Sequence, residues 1–118
     1  HLCFKSALHF TKFTHTRNRF LAEPRAEQRR VLLKEMTLIA LEEKANCRTS
    51  LVTIKKDPRI GWHGEGFGYF FNEKKIRDKL RRLDTTLKEL EKMKHARPKK
   101  ASPGKLPRPP GAKAAGAR

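Results

Sequence analysis

Acidic side chains are missing from both ends of this 118-residue chain. Residues 1–22 hold Lys5, Lys12, Arg17 and Arg19 without an Asp or Glu. Residues 97–118 hold Arg97, Lys99, Lys100, Lys105, Arg108, Lys113 and Arg118, again without an acid. All 12 acidic residues therefore lie between, mixed with basic ones, within a formal net charge of +17. Mixed charge along a helix is a solvated face, whereas an unopposed basic tail attracts polyanions. Cysteine is scarce too. Cys3 and Cys47 form no CxxC pair, so their number excludes a zinc-cysteine site and a disulfide framework. One Cys3–Cys47 bridge is open to them, as are free thiols, the commoner fate of cysteines buried on apolar helix faces. No apolar run approaches the ~20 residues needed to span a bilayer. With 36% hydrophobic against 35% charged residues, core-forming material is thin. A stable fold must then be small or borrow a partner's surface.

The opening stretch from His1 to Phe20 is basic and aromatic, but Ser6 and Ala7 are its only serine and alanine. Without a small-residue cleavage site it reads as a helix, not a targeting peptide. His1 in place of an initiating methionine predicts a segment of a longer protein, with an upstream domain as its first partner. Cys3, Ala7, Phe10, Phe13 and Phe20 fall at helical spacings over 1–22, and the Phe10 and Phe20 stripe is expected to contact that domain. Pro24 suits the first position of a second helix. Leu32, Met36, Ile39, Ala40, Cys47, Leu51 and Ile54 mark one side of that helix over about 25–55. Asp57-Pro58 ends it, because a residue before proline leaves helical geometry. Asn72 and Glu73 then open a third helix as cap and dipole partner. Ile76, Leu80, Leu83, Leu87, Leu90 and Met93 give it a near-heptad seam. The fold class is all-α. A long helical hairpin over 23–96 is joined by a Gly/aromatic loop at 57–71, preceded by one helix and followed by a tail at 97–118. With Leu106 its only large apolar residue, that tail cannot offset its chain entropy and is expected to be disordered when unbound.

The loop reads DPRIGWHGEGFGYFF. Its glycines match neither GxGxxG nor GxxxxGK[ST], and no strand leads into them, so a nucleotide cradle is not indicated. His63 and Glu65 are two donors where a catalytic zinc needs about three protein ligands. They are read as hydrogen-bonding loop residues, Glu65 as a partner for Arg59 or a helix-end N–H. Trp62 and Tyr69, with Phe67, Phe70 and Phe71, could stack on sugars or nucleobases. Aromatics between two helices more commonly cap their shared core. Arg59, Trp62, His63, Glu65 and Tyr69 are therefore the candidate ligand or packing residues. No catalytic, cofactor-binding or metal-binding residue is assigned.

From Asp57 onward the pattern D-P-R-I-G-W-H-G-E-G-F-G-Y-F-F-N-E-K-K-I-R-D-K-L-R-R-L resembles the C-terminal helical region of large bacterial carbohydrate-active, glycoside-hydrolase-like proteins. There a long helix runs into D-x-R-[IL]-G-[WFY], an aromatic stretch and an I-x-x-K-x-x-x-L helix. The matching positions are Asp57, Arg59, Ile60, Gly61 and Trp62, then Ile76, Lys79 and Leu83. The resemblance extends over about residues 17–90, its most specific part over some 27, and the basic tail departs from it. It implies a helical portion packed on a larger catalytic or sugar-binding domain, whose paired carboxylates would lie upstream. The expectation is a non-catalytic accessory segment with a polyanion-attracting tail. The rivals are an RNA-binding or ribosome-associated basic protein, which charge favours, and a dimerising helical adaptor resting on the Ile76–Met93 seam.

Overall fold

Two prolines divide the chain. In the computed structural model, which describes residues 2–61, 63–64, 68–69 and 72–96, helix α1 spans Leu2–Ala22 and α2 spans Ala26–Lys56. A 3-10 turn follows at Pro58–Gly61 and helix α3 spans Glu73–His95. Pro24 stands two residues ahead of α2, not at its first position. Arg25, the cap residue, is held extended at φ −83°, ψ 125°, and its backbone N–H donates to the Glu23 carboxylate at 3.0 Å. That side chain takes up the bend, and the helix ladder begins only with the Arg29 N–H to Arg25 carbonyl bond at 3.0 Å.

At its far end α2 stops where Pro58 forces Asp57 out of helical geometry, to φ −145°, ψ 99°. The Asp57 carboxylate then accepts the Arg59 backbone N–H at 3.1 Å and its Nε at 2.9 Å. Arg59 thus meets Asp57 across the turn. Within the segment expected to be loop, strands β1 (His63–Gly64) and β2 (Gly68–Tyr69) form a short antiparallel pair, His63 opposite Tyr69. Such pairing supplies hydrogen-bond partners for backbone groups that glycines leave unshielded. Asn72 caps α3 as its chemistry predicts, its side-chain oxygen accepting the Lys75 N–H at 2.9 Å.

The long α2 is the spine. At 1.5 Å per residue its 31 residues extend about 46 Å, and both other helices lie antiparallel along it. Leu33, Met36 and Leu90 form one buried cluster, against which Phe13 and Phe20 pack. Cys47, Ile54 and Ile76 form a second, lined by Leu51, Leu80 and Leu83. The α3 seam is therefore used within the chain, on α2. Met93, expected in that seam, is 48% exposed. It lies one turn past Leu90, the last α3 position that meets the buried Leu33 and Met36.

The inward face of α1 differs from the aromatic stripe. Leu2, Ser6, His9, Phe13, Thr16 and Phe20 turn toward α2 or are shielded by it, while Cys3 and Ala7 are exposed and Phe10 is 74% exposed. Periodicity counted on aromatics missed a face that is half polar. Its polar members meet acids on α2, as Thr16 meets Glu35 at 3.3 Å. Phe20, expected to await another domain, packs inside the chain with the Arg29 guanidinium 4.5 Å from its ring centre.

Truncating a fully packed leucine removes transfer energy and leaves a cavity. Leu90→Ala is expected to cost ~2–5 kcal/mol, and Met93→Ala under about 1 kcal/mol. Thermal melts followed by far-UV circular dichroism read both, and equal losses would show that the α2–α3 register is wrong.

Candidate functional site

An acid sits on the buried face of α2. Met36, Ala40, Glu43 and Cys47 succeed one another at helical spacing, so Glu43 points inward, with only 5% of its surface exposed. A carboxylate in that position needs donors from every side. Ser6 Oγ of α1 donates to its Oε1 at 2.5 Å, His9 Nδ1 of α1 meets its Oε2 at 2.5 Å, and Lys79 Nζ of α3 donates to Oε1 at 2.5 Å. Lys79 also contacts Ser6 Oγ, tying α3 to α1 directly. The Cys47 thiol lies 3.5 Å from Oε1 and the Asn46 amide 3.5 Å from Oε2. Asn46 Nδ2 further donates to the Leu2 carbonyl at 3.0 Å, fixing the start of α1, while its Oδ1 is buried without a partner.

Electrostatics follow from this geometry. Burial alone would push the Glu43 carboxyl up, but hydrogen bonds from Lys79, Ser6 and His9 outweigh it and hold the group at about 2. Being ionised, Glu43 only accepts, so His9 Nδ1 carries the proton between them. Burial, reinforced by the neighbouring Glu43 charge, pushes the Cys47 thiol up to about 11. Both cysteines are free, Cys3 exposed and Cys47 buried, so no bridge joins them.

The cluster forms the floor of a cleft of about 690 Å³ between α1 and α3. Its walls include Phe10 and Phe13 on one side and Ile76 and Leu83 on the other, and α3 adds Lys75, Asp78 and Arg82 to the lining, a net positive charge. Ser, His, Glu and Lys together suggest acyl-transfer chemistry, but their order is unsuitable. In a working triad the imidazole stands between the acid and the hydroxyl. Here the carboxylate stands between Ser6 and His9, and one held near 2 is a poor proton acceptor at neutral pH.

Of the residues singled out from sequence, Arg59 is placed against Asp57. His63 and Tyr69 are paired through their backbones. Trp62, Glu65 and the tail cations Arg97, Lys99, Lys100, Lys105, Arg108, Lys113 and Arg118 lie outside the described residues. Ser6, His9, Glu43 and Asn46 were not foreseen, although an acid in register with Met36, Ala40 and Cys47 was a legible signal. Among the described residues, no group of three or more His, Cys, Asp or Glu side chains could hold a metal ion, and no helix is long and apolar enough to cross a membrane. No family model matches the chain, and no curated protein or solved structure matches it.

Glu43 is lowered from its ordinary 4.5 to about 2, so it stabilises the fold above the higher value, and that contribution is lost as pH falls through the lower. Glu43→Gln is expected to melt lower than the parent at neutral pH, with the difference shrinking between pH 4.5 and about 2. A gap that stays constant with pH would show that the carboxylate charge is not what the cluster uses. Thiol labelling gives a second check. A disulfide reagent should modify Cys3 at once and Cys47 only after denaturation, and two fast thiols would contradict the packing around Cys47.

Proposed function

We propose that this chain is a non-catalytic helical accessory segment of a larger carbohydrate-active protein, with a basic tail that attracts polyanions. One observation carries the reading. The α3 positions that bear the resemblance are used for architecture: Ile76 is buried in the second cluster, Leu83 packs against it, and Lys79 binds Glu43. Asp57 likewise ends α2 and braces the turn after it through Arg59. Residues used in this way build a scaffold, and the one buried acid among the described residues holds helices together. The carbohydrate assignment rests on the sequence pattern around Asp57–Leu83.

The surplus of positive charge favours a second reading, an RNA-binding or ribosome-associated basic protein. Salt separates the two. Seven cations over residues 97–118 without an acid bind any polyanion by counterion release, and such binding falls steeply as salt rises. Deleting residues 97–118 is expected to abolish nearly all RNA binding at about 0.15 M salt, where the Debye length is ~8 Å. Filter binding against several RNAs checks this. Selective binding by residues 1–96 under those conditions would replace the accessory reading with the RNA one, because base contacts and shape, not charge, give preference.

A further inference from the structure

Three helices side by side leave the place of a fourth open. On α2, the residues that meet α1 are Glu35, Glu42 and Asn46, and those that meet α3 include Lys44, Leu51 and Lys55. Ile39, Glu43, Cys47 and Ile54 stand between these two rows and line the bottom of the cleft. So α1 and α3 flank α2 without closing over it, and Lys79 bridges them by reaching Ser6. From Ile39 to Ile54 the lining runs about 22 Å along α2, or about four helical turns. A groove of that length between two helices is where the fourth member of a helical bundle lies.

The side chains on the lips decide what fits. On the α1 wall, Phe10 is 74% exposed and Cys3, two turns before it, is exposed as well. An aromatic ring on the lip of a concave face is the kind of anchor by which grooves hold amphipathic helices. Of the charges facing the cleft, Glu43 is bound to Lys79 and His9, and Asp78 is paired with Arg81. Lys75 and Arg82, both exposed and two turns apart on α3, meet no carboxylate among the described residues. Helix α1 contributes no acid at all. The occupant must therefore bring negative charge, which sets aside the tail at 97–118, with seven cations and no acid, and a second copy of a chain with net charge +17. An acyl chain brings one anionic head, but its methylenes would lie against the Glu43 cluster of the floor and strip water from it. Asn46, also on the lining, keeps its Oδ1 buried without a donor among the described residues, a need that a polar side chain fits and hydrocarbon does not. We infer that the cleft between α1 and α3 is the docking groove for an acidic amphipathic helix of a partner protein, its apolar side between Phe10 and Leu83 and its carboxylates on Lys75 and Arg82. The groove rests on the packing of the three helices and not on the carbohydrate assignment.

Cys3 gives a readout confined to the groove, because it lies on the wall while Cys47 is buried. The probe is a fluorescein-labelled synthetic helix of about 16 residues, made of Leu, Ala, Ser and Glu with its leucines along one side. Anisotropy on the full chain at about 0.15 M salt should show saturable binding. With this peptide at about ten times its Kd, modification of Cys3 by a disulfide reagent should slow roughly tenfold. A peptide of the same composition with its leucines scattered reaches the cationic tail equally well and should leave the Cys3 rate unchanged. Lys75→Glu with Arg82→Glu should weaken the amphipathic peptide at least about tenfold, and Phe10→Asp should weaken it too. Helical circular dichroism should be unchanged in these variants, since all three positions are exposed. Equal protection by the scattered peptide, or no protection at saturation, would overturn the groove. Equal protection by the peptide with Lys in place of Glu would overturn its acidic preference. Protection by laurate with none by the peptide would assign the cleft to a small amphiphile and overturn the inference.

Discussion

The buried Glu43 carboxylate organises the described part of this protein. Its two oxygens receive a hydroxyl and an imidazole from α1 and an ammonium from α3, so one side chain of the central helix sets the height of both neighbours. Apolar clusters alone would leave sliding freedom along a 31-residue helix, because methyl contacts are non-directional. Charge-assisted hydrogen bonds are directional and penalise any displacement that leaves the carboxylate unpaired. The Lys44–Asp84 and Lys55–Glu73 pairs follow the same register on the α2–α3 side, at more exposed positions where such pairs contribute less.

A polar tie of this kind makes sense in a chain with little apolar material. The two buried clusters lie toward opposite ends of α2, one formed with the C-terminal half of α3 and the other with its N-terminal half. Between them the seal is made by Ser6, His9, Glu43, Asn46 and Lys79. Replacing a buried ionic group by packed hydrocarbon is often neutral or stabilising in other proteins. Here the ionic group gathers contacts from both α1 and α3 on one residue of α2. The cleft between α1 and α3 follows from the same tie, because those helices meet through Lys79 and Ser6 above a floor supplied by α2.

Charge on this molecule acts at three ranges. Glu43 works at contact distance and out of water, where salt has little access. The intrahelical pairs, such as Arg77–Glu73, work at the surface. The excess of cations acts over a Debye length, the range within which salt screens it.

Local chemistry was legible in the sequence. Asp57-Pro58 had to stop α2, Asn72 had to cap α3, and Leu32, Met36, Ile39, Ala40, Cys47 and Ile54 had to face inward, because each depends on spacing or on a neighbour in the chain. The all-helical class and the pairing of α2 with α3 followed from those periods. Other features depended on residues far apart in sequence. The polar inward face of α1 is specified by acids 19 to 37 residues away, and aromatic periodicity pointed instead to Phe10, which faces water. Met93 continues the seam by spacing but passes the end of the surface that would cover it. Glu43 stood in the buried register from the start. Only the tertiary structure decided that Ser6, His9 and Lys79 are the groups that allow it to remain charged there, because a buried charge is tolerated through partners that the fold alone brings within hydrogen-bond reach.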